Sequence, residues 1–142
     1  MSATIFSFDD FYNFVDRELA RIGRYDLETS EKISIVFIRV PDGKHDEVLT
    51  VLKNNLRKSD AIFEKNGAIL LVLSNTSRMG ALHIDEIMKE FFDDDIACVI
   101  TSFPEDGDNS NELFEMMETI LRDEYGIKMN DYFKRSARRI QD

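Results

Sequence analysis

Residues 57–73 read RKSDAIFEKNGAILLVL, and the dipeptide Asn66-Gly67 separates two apolar runs within this stretch. Both residues tolerate the positive φ that a type I′ turn requires, so Asn-Gly between two such runs is a strong hairpin signal. We therefore predict a β-hairpin with strands over residues 60–65 and 67–73.

The segments around this hairpin alternate between helical and strand patterns. Apolar residues recur at helical spacing in four segments, which predicts helices over 9–24, 45–58, 77–92 and 109–125. The run 32–40 is almost continuously apolar and β-branched, as in a strand covered on both faces, and 96–103 is a further predicted strand. Asn109 and Ser110 are candidate N-cap residues, because their side chains accept bonds from amides of a helix's first turn.

Two of the predicted helices have a defined inward face. In the helix over 9–24 this face carries Phe11, Phe14, Val15, Leu19 and Ile22. In the helix over 77–92 it carries Met79, Leu82, Ile87, Met88 and Phe91. The order helix, strand, helix, hairpin, helix, strand, helix then predicts an α+β domain with a ferredoxin-like core. A central, mainly antiparallel sheet would have helices packed on its faces.

The composition limits the classes of protein to which the chain can belong. The chain has 142 residues, 43% of them hydrophobic, which suits one globular domain. A net charge of −10 argues against a general nucleic-acid-binding surface. No apolar run approaches the roughly 20 residues that span a membrane, and the N-terminus is acidic, so we expect a cytoplasmic protein without a membrane partner. The single Cys98 lies in an apolar strand and is expected to be a buried, inert thiol.

The C-terminal end differs from the rest in charge. Residues 128–142 contain five Lys/Arg and two Asp, a balance of +3, whereas the remainder carries −13. We therefore divide the chain into a domain over 1–127 and a basic tail over 128–142. The tail is either a solvated terminal helix or a segment that docks against the acidic body or a partner.

Three segments together resemble the GGDEF domain of diguanylate cyclases. They are RELARIGRYDLETSEKISIVFIRV (17–40), LRKSDAIFEKNGAILLVLSNTS (56–77) and VITSFPEDGDNSNELFEMMETIL (99–121). The third, which contains FPEDGDNSNEL, is the most specific. The resemblance covers about residues 10–125 and implies a nucleotidyl-cyclase-like fold and a role in bacterial signal transduction.

The resemblance also implies that the catalytic residues are missing. Asn66, Gly67, Ala68 and Ile69 stand where the family's signature turn cradles the phosphates of GTP and supplies a magnesium-binding acid. Arg39 stands at the second metal position, and a guanidinium repels a divalent cation. We therefore expect a degenerate site with no cyclase activity, no catalytic residues and no bound metal or cofactor.

Only part of the family's guanine pocket is matched. Asp46 corresponds to one guanine-reading residue, but the longer segment that carries the other is absent. A first-turn Asp is also favoured by the helix macrodipole alone. Binding of GTP without turnover is therefore the weakest of the nucleotide-binding hypotheses.

The family's inhibitory-site motif, Arg-x-x-Asp, is retained as Arg57-Lys58-Ser59-Asp60. In GGDEF proteins this motif binds cyclic di-GMP. An Arg fork can engage guanine or phosphate and an Asp can accept the guanine N–H donors, with Lys58 as an auxiliary phosphate contact. The family usually adds another arginine, for which the sequence offers three candidates: Arg24, Arg39 and Arg78.

The motif alone leaves two functions open. The first is a cyclic di-GMP receptor that uses Arg57, Lys58 and Asp60. The alternative is a protein-interaction or dimerisation scaffold without a nucleotide ligand, bound to a signalling protein or to a second copy. Its acidic loops at 93–95 and 105–108 would suit a basic partner, although such charge runs are commonly solvated.

Overall fold

The structure is a computed structural model that describes residues 4–25, 31–65, 67–92, 96–129 and 132. The strands are β1 (Thr4–Ser7), β2 (Ile33–Arg39), β3 (Ala61–Lys65), β4 (Ala68–Ser74) and β5 (Ala97–Phe103). The helices are α1 (Phe11–Tyr25), α2 (His45–Asn55), α3 (Arg78–Phe92) and α4 (Ser110–Ile120). A short 3₁₀ turn (Phe8–Asp10) precedes α1, and a π-helical turn (Leu121–Tyr125) follows α4.

The five strands form one sheet in the order β1-β3-β4-β2-β5. β1 is parallel to β3, and every other neighbouring pair is antiparallel. The predicted class, an α+β domain with a mainly antiparallel sheet, is therefore confirmed.

The predicted hairpin is the connection between β3 and β4. Lys65 is the register partner of Ala68, which leaves a two-residue connection between the strands. Gly67 has a φ of 85°, in the region that glycine adopts without steric cost. Asn66 lies outside the described residues.

Alternate residues of the central strands pack into two cores on opposite faces of the sheet. On β2, Ile35 and Phe37 belong to the core that α1 and α4 cover. Val36 and Ile38 belong to the core under α2 and α3. Because both faces are covered, the central strands read as continuous apolar runs in the sequence.

The predicted inward face of α1 is confirmed, since its apolar residues lie in or against the first core. That of α3 is wrong in part. Met79, Leu82 and Phe91 are among the exposed hydrophobic residues, with Met79 79% exposed. The side chains that α3 buries are Ala81, Ile84 and Met88. Two apolar stripes run along this helix, and the one that contains Ala81, Ile84 and Met88 packs into the second core.

β1 was not predicted from the sequence. It has four residues, and its partners in β3 begin with Ala61, the partner of Thr4. Such a short edge strand is defined by a distant pairing rather than by a local pattern. The N-cap prediction for α4 is confirmed at Asn109, whose side chain accepts a hydrogen bond from Glu112 N at 2.9 Å.

The loop after β5 folds back onto that strand, which is an edge of the sheet. Ser102 N donates to Asp106 Oδ2 at 2.8 Å, and Asp106 N donates to Ser102 O at 2.7 Å. Asp106 also pairs with Arg78, the first residue of α3, at 2.8 Å. Within the described part of the chain, no helix has the length and apolar character to span a bilayer.

Candidate functional site

The retained Arg57 and Asp60 contact each other at the start of β3. Asp60 Oδ1 accepts a hydrogen bond from Arg57 Nη2 at 3.0 Å, and Oδ2 accepts from Arg57 N at 2.9 Å and Nε at 3.4 Å. Ser74 N, at the end of β4, donates to Oδ1 at 3.1 Å. Each oxygen of Asp60 therefore accepts two hydrogen bonds from the protein itself.

Arg57 connects this carboxylate to the end of β4 and the chain beyond it. Its Nη2 donates to the carbonyl oxygen of Ser74 and, at 2.7 Å, to Oγ1 of Thr76. Ser34 on β2 in turn donates from Oγ to the carbonyl of Thr76 at 2.8 Å. These hydrogen bonds connect β2, β3 and β4 at one end of the sheet. Arg57 lies at the solvent-exposed end of this network.

A groove of about 350 Å³ lies beside this pair, between the end of α2 and the start of α3. We call it the Arg57 groove. Seven residues supply its polar lining: Asn55, Arg57, Asp60, Asn75, Thr76, Ser77 and His83. The His83 side chain is 70% exposed, and Asn75 has a φ of 48°, a left-handed conformation that Asn tolerates better than most residues.

A second groove lies at the opposite end of the same pair of helices. It has a volume of about 370 Å³ and is lined by the start of α2 and the end of α3. Its acidic residues are Asp46 and Glu47, and its apolar ones include Val51, Phe91 and Phe92. We call it the Phe91 groove. The seam between α2 and α3 therefore has the exposed side chains of Arg57 and His83 at one end, beside the buried carboxylate of Asp60. At the other end it has the exposed carboxylates of Asp46 and Glu47.

The residues of the degenerate active site meet at the hairpin end of the sheet. Arg39 is the register partner of Ala68 on one side and of Ala97 on the other. The chain after Arg39 is tied to the turn by Val40 N, which donates to Gly67 O at 2.8 Å. The two positions predicted to replace the metal ligands are thus direct neighbours.

Neither residue at the start of β4 presents a ligand atom. Ala68 and Ile69 are fully buried, and their side chains belong to the two opposite cores. Glu64, opposite Ile69 on β3, carries a carboxylate, and it lies 2.9 Å from His45 Nε2. Across the described residues, no group of three or more His, Cys, Asp or Glu side chains is placed to hold a metal ion.

The candidate additional arginines do not converge on Arg57. Arg39 lies six residues along β2 from Ile33, the partner of Ser74, which is a separation of about 20 Å. Arg78 is paired with Asp106. The side chain of Arg24 lies outside the described part of the structure.

Several groove residues were not predicted from the sequence to be ligand contacts. Asn75, Ser77 and His83 come from the β4–α3 connection and from α3, and they face the groove only because β4 ends beside Arg57. The one local signal was the SNTS segment, which is typical turn chemistry and does not specify a ligand.

Cys98 is buried on β5, as predicted. Burial raises the pKa of its thiol from 9.0 to about 12, because the thiolate would lose its hydration. At neutral pH the group is therefore protonated, which is the opposite of what a nucleophilic cysteine requires.

The fold is similar to that of several solved structures. A DGC protein from Thermotoga maritima matches with a TM-score of 0.64 and 16% identity, over 81% of this chain and 94% of that one. A sensory box/GGDEF family protein from Caulobacter crescentus matches with a TM-score of 0.59 and 11% identity, over 80% of this chain and 88% of that one. No family model and no curated protein matches the sequence.

Both structural matches cover four-fifths of this chain and most of the other protein. At this level of identity they establish the architecture, while the chemistry depends on this chain's own side chains. The chain therefore has the fold of a GGDEF domain.

Proposed function

We propose that this chain is a catalytically inactive signalling domain that binds cyclic di-GMP in the Arg57 groove. The observation that carries the proposal is how the guanidinium of Arg57 is hydrogen-bonded and exposed. Its described hydrogen bonds use Nε and Nη2, so that Nη1 has no protein partner among the described residues. Its side chain is 53% exposed at the edge of the groove. A guanidinium held in this way can donate from Nη1 to a phosphate oxygen or to O6 or N7 of guanine.

In this proposal Asp60 is a positioning residue. Its side chain is 3% exposed, and its four hydrogen bonds are all to the protein. A guanine N–H donor would have to displace one of these bonds. We infer instead that Asp60 fixes the Arg57 fork, while Asn75, Ser77 and His83 supply the other polar contacts and Lys58 adds positive charge.

The proposed inactivity rests on the hairpin end of the sheet. Phosphoryl transfer from GTP needs divalent metal to neutralise the charge that develops on phosphate oxygens. Ala68 and Ile69 have no ligand atom, and Arg39 places a cation beside them. The expected result of incubating the protein with GTP and magnesium is therefore no cyclic di-GMP. Detectable synthesis would overturn this part of the proposal.

The binding proposal is tested by calorimetric titration of cyclic di-GMP into the full chain. We expect saturable heat, and we expect Arg57→Ala to weaken binding by at least about tenfold, since one charge-assisted hydrogen bond is worth about 1.5–3 kcal/mol. Arg122→Ala is the matched control, because Arg122 is 66% exposed and pairs with the adjacent Asp123, away from the groove. Absence of heat from the parent protein would refute the receptor proposal.

A second variant separates ligand contact from loss of structure. Asn75→Gly removes an amide that lines the groove but keeps a residue that accepts positive φ. It should weaken binding while the thermal midpoint changes little. If only variants that lower the thermal midpoint weaken binding, Arg57 acts through the fold and the proposed contact is wrong.

One observation favours the alternative scaffold function. Met79, Leu82 and Phe91 leave apolar surface exposed on α3, at 79%, 40% and 59%. Exposed apolar residues on one helix suit contact with another protein. Sedimentation of the parent protein and of Met79→Ser tests self-association. A concentration-dependent dimer that this change abolishes would support the scaffold.

A further inference from the structure

The Phe91 groove has a composition that suits a cationic, partly apolar ligand. Its apolar lining consists of Val51, Phe91 and Phe92, and Phe91 is 59% exposed. Asp46 and Glu47, both exposed, supply carboxylates from the first turn of α2. A long basic side chain can lay its methylene stem on apolar surface, place its charge over an aromatic ring and still reach a carboxylate.

The chain itself contains a segment of this chemistry. Residues 133–142 read FKRSARRIQD and carry four Lys/Arg against one Asp. The rest of the chain is strongly acidic, so electrostatic attraction favours contact between this segment and the body. Arginine is better suited than lysine to a carboxylate beside an aromatic ring, because its planar guanidinium both stacks and forms bidentate pairs.

The segment starts close enough to reach the groove. The ring of Tyr132 packs on Phe37 with 5.9 Å between centroids, near the end of β2 from which the chain passes into α2. Phe37 faces the first core, whereas α2 and α3 cover the opposite face of the sheet. The segment must therefore pass around the end of the sheet, past a helical layer of about 10 Å on each face. Arg138 and Arg139 are six and seven residues beyond Tyr132, and an extended chain of that length spans up to about 20–25 Å, which is enough to cross both layers.

We propose that residues 133–142 dock into the Phe91 groove of their own chain, with Arg138 and Arg139 against Asp46 and Glu47. The docked segment covers the exposed ring of Phe91 and neutralises the acidic end of the α2–α3 seam. A basic partner would have to displace it to use the same surface. This proposal is independent of ligand binding at the Arg57 groove.

The test is paramagnetic relaxation in the full chain. Gln141→Cys is modified with a nitroxide, and the buried, protonated Cys98 is not expected to react at neutral pH. We expect the amide signals of Val51 and Phe91 to lose intensity, while that of His83, at the other end of the seam, is retained. The loss should diminish as salt is added, because exposed charges are screened.

Matched variants distinguish docking from mere proximity. Asp46→Asn with Glu47→Gln should restore the signals of Val51 and Phe91. Glu86→Gln with Glu115→Gln, which changes the net charge equally at exposed sites outside the groove, should not. Equal intensities in both double variants would overturn the proposal.

A mixing experiment identifies whose tail occupies the groove. Isotope-labelled protein without nitroxide is combined with unlabelled protein that carries it. Retention of all amide signals in this mixture is expected for docking within one chain. Signal loss at Val51 and Phe91 in the mixture would show that a second copy supplies the segment, and it would overturn the proposal as stated.

Discussion

Asp60 and Arg57 are paired at 3.0 Å, yet the Asp60 side chain is 3% exposed and that of Arg57 is 53% exposed. The buried partner is fully hydrogen-bonded to the protein, whereas Nη1 of the exposed partner has no protein partner among the described residues. The carboxylate of Asp60 therefore joins the ends of the strands and also orients a guanidinium that remains accessible to solvent.

The first prediction concerns the carboxylate. Asp60→Ala should lower the free energy of unfolding by about 2–3 kcal/mol, because it removes four hydrogen bonds and leaves the amide of Ser74 without its acceptor. Asp123→Ala, at a site 61% exposed, should change it by less than about 0.5 kcal/mol. Chemical denaturation measures both. Equal effects would show that the Asp60 hydrogen bonds contribute no net stability.

The second prediction tests which face of α3 is buried. Met88 is fully buried and Met79 is 79% exposed on the same helix. Met88→Ala should therefore cost about 2–5 kcal/mol in the free energy of unfolding, and Met79→Ala less than about 0.5 kcal/mol. A larger loss of stability for Met79→Ala than for Met88→Ala in urea denaturation would show that Met79 is buried, which would contradict the assignment of the buried face to Ala81, Ile84 and Met88.

The third prediction concerns the hairpin turn. Gly67 has a φ of 85°, and a Cβ at this position would meet no atom within 4 Å. Gly67→Ala should therefore destabilise the protein by about 1 kcal/mol through backbone strain alone. Gly67→Asn should cost less, because Asn adopts positive φ more readily. If both variants unfold at the same denaturant concentration, the positive φ of Gly67 does not control the stability of this turn.

The fourth prediction concerns pH. The pKa of Cys98 is raised from 9.0 to about 12 by burial, so only the unfolded chain loses this proton as the pH rises above 9. The free energy of unfolding of the parent should therefore fall relative to Cys98→Ala by up to about 1.4 kcal/mol per pH unit between pH 9 and 12. Below pH 9 the difference between the two proteins should be constant. A constant difference up to pH 11 would contradict the raised pKa.

The sequence was sufficient for the elements whose signal is local. The hairpin follows from Asn66-Gly67, β2 from a continuous apolar run, and the start of α4 from Asn109. The apolar face of α1 was correctly predicted because its aromatic and aliphatic residues form one stripe.

The errors and omissions share a different origin. β1 depends on pairing with residues more than fifty positions away, and the buried face of α3 depends on which of its two apolar stripes packs against the sheet. The Arg57 groove likewise exists only after α2 and α3 have packed side by side. The sequence spacing identified Arg57 and Asp60 as a pair. It did not indicate that Asp60 would be buried and Arg57 exposed.

The loop that returns from Asp106 to Ser102 has a consequence for solubility. β5 is a terminal strand of the sheet, and an uncovered terminal strand is a template on which other chains can add. At Ser102 both the amide and the carbonyl are already bonded to Asp106. An incoming strand therefore finds no unpaired backbone at that position, and the acidic side chain of Asp106 acts as a gatekeeper against edge-to-edge aggregation.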